Sequence, residues 1–156
     1  MHKVYLIFLV GILLIGCGNR EALINTDLKV KDVWIRELPP VAQVVAVYMV
    51  IENKGSQSVH LLGAECEIAT RVEIHAMEHL DGMMNMKKLE RVMVPALGQV
   101  VLKPDGMHLM LMGLVQAPRA DTEVPLRLHF DNGITKSVMA KVRRQEPGKK
   151  DERIHD

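Results

Sequence analysis

The chain is a succession of short apolar runs separated by turn residues. Leu28–Arg36 alternates apolar and polar positions as a strand does, and Pro39-Pro40 ends it. Residues 44–52, "VVAVYMVIE", are strongly β-branched and stop at Asn53-Lys54-Gly55-Ser56. Runs at 59–64 and 71–77 follow, then a turn at Asp81-Gly82 and a short strand at 84–88. Residues 90–94 run to Pro95, and 99–103 run to a Pro104-Asp105-Gly106 turn, after which 107–112 is again apolar. The last two runs, 124–130 and 134–142, flank Asn132-Gly133, a hairpin signal of the type I′ kind. No stretch sustains a helical period. Many short strands at this spacing predict a single all-β domain, an antiparallel sandwich or Greek-key barrel.

The two ends break the pattern. His2 and Lys3 precede an apolar stretch at 4–15 that is too short to span a bilayer comfortably as a helix. It closes in Leu14-Ile15-Gly16-Cys17, which resembles the bacterial lipobox, where the leader is cut before the cysteine and the sulfur is acylated. The expected organisation is a lipoprotein signal peptide at 1–16, a lipidated Cys17 and polar tether at 17–27, a domain at 28–145 and a charged tail at 146–156. Two or three acyl chains, at about 0.8 kcal/mol per buried CH₂, give a stable anchor in a bacterial membrane facing the periplasm or exterior. With Cys17 acylated, Cys66 is the one remaining thiol, so no internal disulfide forms. Cys66, inside "LLGAECEIA", reads as a small buried core residue.

Parity then brings out the chemistry. Residues i and i+2 of a strand share a face. His75 and Met77 share one, Met84 and Met86 another, and His108, Met110 and Met112 a third. Met83 and Met107 have the opposite parity. Methionine is abundant, 11 in 156 residues, beside 7 histidines. The three faces are expected to converge at one end of the sandwich. A thioether is a soft neutral donor that suits Cu(I) and serves Zn(II), Mg(II) or Ca(II) poorly. A neutral imidazole–thioether set matches a monovalent soft ion, and it needs no reduced thiol in an oxidising compartment. Against this stands the ordinary use of Met as a core gap-filler and of a lone His as a structural residue.

Composition removes several classes. The net charge is +1, with both signs scattered, so no basic field points to nucleic acid. Aromatics make up 3% of the chain, too few for a base-stacking platform. No nucleophile–base pair, carboxylate pair or phosphate-binding glycine loop stands out, so the chain does not read as an enzyme.

The spacing His75-x10-Met86-x21-His108-x-Met110 resembles the motif of the PCuAC family of periplasmic copper(I) chaperones. The flanking segments "WIRELPP", "VAVYMVIEN", "RVEIHAME", "VPALGQVVLKPDGMHLMLMGL" and "VPLRLHFDNG" are similar as well, so the resemblance covers residues 28–143. It implies a cupredoxin-like β-sandwich that carries Cu(I) on His75, Met86, His108 and Met110. Met77, Met84 and Met112, on the same faces, are then supporting or alternative donors. It also implies delivery to the copper-binding subunit of cytochrome c oxidase, chiefly its dicopper centre, alongside a thioredoxin-like partner. Two departures stand out. The tail holds only His155 and no Met, which argues against a second copper site, and the lipobox implies a tethered rather than a diffusing carrier. A blue-copper electron carrier needs a Cys thiolate among its ligands, and Cys66 lies outside the 75–110 constellation. A lipoprotein that sequesters copper and never hands it on remains as the alternative.

Overall fold

The computed structural model describes residues 27–80 and 82–144, and of His79 and Leu80 only the backbone. The expected leader, Cys17 and the charged tail lie outside the described residues. Ten strands follow in order: β1 Leu28–Arg36, β2 Val44–Asn53, β3 Val59–Glu65, β4 Ala69–Leu80, β5 Met83–Leu89, β6 Val92–Val94, β7 Gly98–Leu102, β8 Met107–Leu114, β9 Glu123–Phe130 and β10 Thr135–Arg143. No helix occurs among the described residues. The protein is an all-β sandwich, as its strand pattern predicts, and cupredoxin-like, as the resemblance implies.

The strands run β5-β4-β8-β2-β1-β10-β9-β3-β6, with β7 also on β2. All pairings are antiparallel except β1–β10. Strand β2 pairs with β7 along Met49–Asn53 and with β8 along Val44–Val47, so β7 and β8 lie end to end beside it. The two halves of this ribbon face one another across one core. Val45, Val47, Ile74, Leu109 and Leu111 point in from one half, and Leu61, Val94, Leu126, Leu128 and Val142 from the other. A fully buried aliphatic side chain contributes about 1.5–3 kcal/mol, so this alternation holds the register of every strand that carries the site. Cys66 is buried with this core.

Three local features differ from the simple strand reading. Strand β1 has a bulge between Lys31 and Trp34, with Asp32 at φ 49°. The extra residue reverses parity. Leu28 points into the core before it and Ile35 after it, so Trp34 is turned outward against Tyr48 on β2, with ring centroids 4.5 Å apart. Arg143 of β10 lies over the Trp34 ring and also pairs with Asp32.

The Asn132-Gly133 hairpin is not a type I′ turn. Only Gly133 has positive φ, 79°, and it donates its N–H to the Phe130 carbonyl. This is a three-residue loop closed by a glycine bulge. Side chains explain the choice: Asp131 is held by His60, and Asn132 Oδ1 accepts the Ile134 N–H. In the β7–β8 turn it is Asp105, at φ 58°, that takes the left-handed conformation rather than Gly106.

Candidate metal site

Register places the candidate donors on a common grid. His75 of β4 is directly opposite His108 of β8. On the other side of β4, Met77 is opposite Met86 of β5, and Lys88 is opposite His75. Met110 is opposite Glu73. Directly opposed residues share a face, and diagonal neighbours lie about 7–8 Å apart, within reach of long side chains. His75 is therefore the hub: His108 faces it, while Met86 and Met110 stand diagonally on either side. Met77 is one step along β4. Met84 and Met112 lie two register steps away in opposite directions, against His79 and Arg71.

This face points away from the core, because the alternate residues Ile74, Leu109 and Leu111 fill the interior. The candidate donors thus share the outer face of the β5-β4-β8-β2-β1 half, with His108 at the start of β8 beside the 104–106 turn. Cross-strand pairing sets these positions. Met83 is exposed on β5, and Met107 packs against the core, so neither joins the set.

An aromatic row shields the inner side of the site. Trp34, Tyr48, His108 and His75 follow one another across four strands, with Tyr48–His108 centroids 6.2 Å apart and His75–His108 centroids 6.0 Å apart. His108 is only 5% exposed although its strand face points outward. Met86, on the edge strand, is 50% exposed. One side of the site is walled and the other is open.

The imidazoles have distinct hydrogen-bond environments. His108 Nδ1 lies 3.1 Å from the Gly106 carbonyl, which can only accept, so Nδ1 carries the proton and Nε2 keeps its lone pair. The same carbonyl accepts the Met77 N–H at 3.2 Å. Burial holds the His108 pKa below the ordinary imidazole value, with His75 adding to the effect and the Gly106 bond opposing it. His75 Nε2 lies 2.9 Å from Glu73 Oε2, and its Nδ1 is buried with no hydrogen-bond partner. Glu73 Oε1 meets Lys88 Nζ at 3.1 Å and Arg71 Nε at 3.3 Å. The Glu73 carboxyl is held below its usual range by the bond to His75 first and by Lys88 next.

Two facing imidazoles, one with a bare buried nitrogen, and methionines at the neighbouring register positions suit a soft cation of low charge. They suit no hard divalent ion, which would require oxygen ligands. Among the described residues no group of three or more His, Cys, Asp and Glu side chains forms such a site. Sequence reasoning missed Glu73 and the Trp34–Tyr48 wall. Glu73, two residues before His75, shares its strand face by the same parity, and a carboxylate at that spacing from a candidate ligand is the signal that could have found it. Cys66 lies at the β3–β4 connection, outside the grid.

The profile of the LpqE-like family, described as "Putative lipoprotein LpqE-like", matches residues 28–142. The chain is similar to "Putative lipoprotein Lxx21020" of Leifsonia xyli subsp. xyli, with 26% identity over 117 residues, covering 74% of this chain and 69% of that one. Among solved structures it is similar to CuI-DR1885 from Deinococcus radiodurans, in solution, at 32% identity and TM-score 0.60, covering 81% of this chain and 83% of that one. It also shares its fold with the copper-bound PCuAC domain from PmoF2, at 18% identity and TM-score 0.64, covering 76% and 93% of the two chains.

Proposed function

This chain belongs to the LpqE-like family, and from that premise we propose that it is a lipid-anchored, extracytoplasmic copper(I) carrier. His75, Met86, His108 and Met110 hold the ion, with Met77 as the nearest alternative donor and Met84 and Met112 as more distant ones. The single observation that carries this reading is the facing His75–His108 pair with its buried, unpartnered Nδ1. The copper(I) form of DR1885 and the copper-bound PCuAC domain support the choice of metal, and the family description supports the anchor on Cys17. The working boundaries are a leader at 1–16, a tether at 17–27, the carrier domain at 28–145 and a tail at 146–156.

The chemistry suits transfer rather than catalysis. All four donors are neutral, so the ion's single charge is the charge of the loaded site. Thioethers leave without taking up a proton, and the open β5 side lets an acceptor approach Met86. The acceptor we propose is the dicopper-binding subunit of cytochrome c oxidase, with a thioredoxin-like protein keeping its thiols reduced. Tethering at the same membrane would raise the local concentration of carrier near that acceptor.

The test mixes the Cu(I)-loaded domain with the apo copper domain of the oxidase subunit and follows the metal by elution and by the acceptor's visible spectrum. Movement of copper to the acceptor supports the carrier. Retention at every ratio, with binding intact, refutes delivery to that acceptor and favours a sequestering lipoprotein.

A further inference from the structure

We infer that Glu73 is a positioning residue that fixes the tautomer of His75, so that Nδ1 presents its lone pair to the ion. The inference rests on His75 being a ligand, as proposed above, but its first test does not involve metal.

An ionised carboxylate only accepts hydrogen bonds, and a neutral imidazole has a single N–H. With Glu73 Oε2 at 2.9 Å from Nε2, the proton sits on Nε2 and Nδ1 is bare. Nδ1 is also buried and unpartnered. A free imidazole would turn or change tautomer to satisfy that nitrogen. Here Glu73 prevents it, and Glu73 is itself braced from two sides. Lys88, opposite His75 on β5, and Arg71, two residues back on β4, both bind Oε1. The alternation Arg71-Glu73-His75 on one strand face makes this a relay of braced groups.

The bracing has a second effect. Both Glu73 oxygens are engaged, so the carboxylate facing Met110 is kept out of the ligand set. The donors stay neutral, which favours a monovalent ion over a divalent one. His108 uses the opposite device, a backbone carbonyl on Nδ1 that frees Nε2. The two rings, with centroids 6.0 Å apart, thus leave different nitrogens bare, each set by its own acceptor. Partners that orient a ligand histidine typically matter by about 10–100-fold in metal affinity.

The experiment compares apo wild-type protein, Glu73→Leu and Glu73→Gln by long-range ¹H–¹⁵N correlation of the histidine rings, followed by anaerobic Cu(I) competition titration. Wild type is expected to show His75 as the pure Nε2–H tautomer. Glu73→Leu should show a tautomer mixture at His75, unchanged His108 signals and Cu(I) affinity lower by about 10-fold or more. Glu73→Gln, whose amide oxygen still accepts, should recover most of both. A Glu73→Leu protein with the wild-type His75 tautomer, or with an altered tautomer and unchanged affinity, overturns the inference. His75→Ala separates the two claims: unchanged affinity there removes the ligand assignment, whatever the tautomer of His75 in the Glu73 variants.

Discussion

Replacing Met86 by Leu isolates ligand chemistry from folding. Met86 lies on the outermost strand and is 50% exposed. Met and Leu have similar volume, and exposed substitutions of this kind stay within about 0.5 kcal/mol of the parent. The unfolding midpoint should therefore be unmoved. The thioether, however, is one of four proposed donors and has no equivalent in Leu. Losing it should weaken Cu(I) binding by at least about tenfold, or about 1.4 kcal/mol. The assay is an anaerobic competition titration against a chromophoric Cu(I) chelator, run beside urea unfolding of the same sample. Met77→Leu is the matched control, because Met77 is directly opposite Met86 and shares its face. A native midpoint with unchanged affinity in Met86→Leu would refute the reasoning. So would a larger loss in Met77→Leu, which would move the ligand from β5 to β4. His108→Ala is a poorer probe: it also removes a buried ring, its bond to Gly106 and its contact with Tyr48.

Three further outcomes follow from the packing. His108 is held below the ordinary imidazole pKa, so the unfolded chain takes up a proton below about 6.5 while the folded chain does not. Its contribution to stability is complete above about pH 6.5 and is lost as the pH falls from there toward the folded-state value; urea midpoints of wild type and His108→Gln at pH 7.5 and 5.5 should diverge in that sense, and equal slopes would exclude it. Gly113 has φ 63°, and an added Cβ would lie 2.2 Å from Thr70 Oγ1, so Gly113→Ala should cost about 1–3 kcal/mol for the backbone alone and more for the clash. Thermal unfolding of Gly113→Ala against Gly113→Ala with Thr70→Gly separates the two. Burial pushes the Cys66 thiol above its ordinary pKa, so a thiol reagent at pH 8 should label it slowly in the native protein and quickly in urea; equal rates would place it at the surface.

Strand existence was legible throughout, because β-branched runs and Gly/Pro punctuation act locally. Boundaries failed where that punctuation is weak. Strand β4 runs Ala69–Leu80 rather than 71–77, since Glu78, His79 and Leu80 continue the hairpin ladder with Met83, Met84 and Asn85. Parity put the candidate residues on shared strand faces, as the register shows, but it does not say which face is inward. His108 lies on the outer sheet face yet is buried there, with the Tyr48 ring beside it. Trp34 reaches Tyr48 only through the β1 bulge, and one extra residue leaves no mark in an alternating pattern. Glu73 escaped notice because its role depends on hydrogen-bond geometry and not on softness.

The Gly106 carbonyl accepts both the backbone N–H of Met77 and the ring N–H of His108. One oxygen therefore clamps the strand of His75 to the imidazole of His108. Parting β4 from β8 here breaks the Met77 bond together with the neighbouring ladder, a backbone opening of the kind that takes microseconds or longer. The exposed thioether of Met86 has no such restraint, and side chains of that sort reorient in picoseconds to nanoseconds. The proposed site thus divides into a slow half and a fast half, and on that reading an acceptor would meet the fast half first.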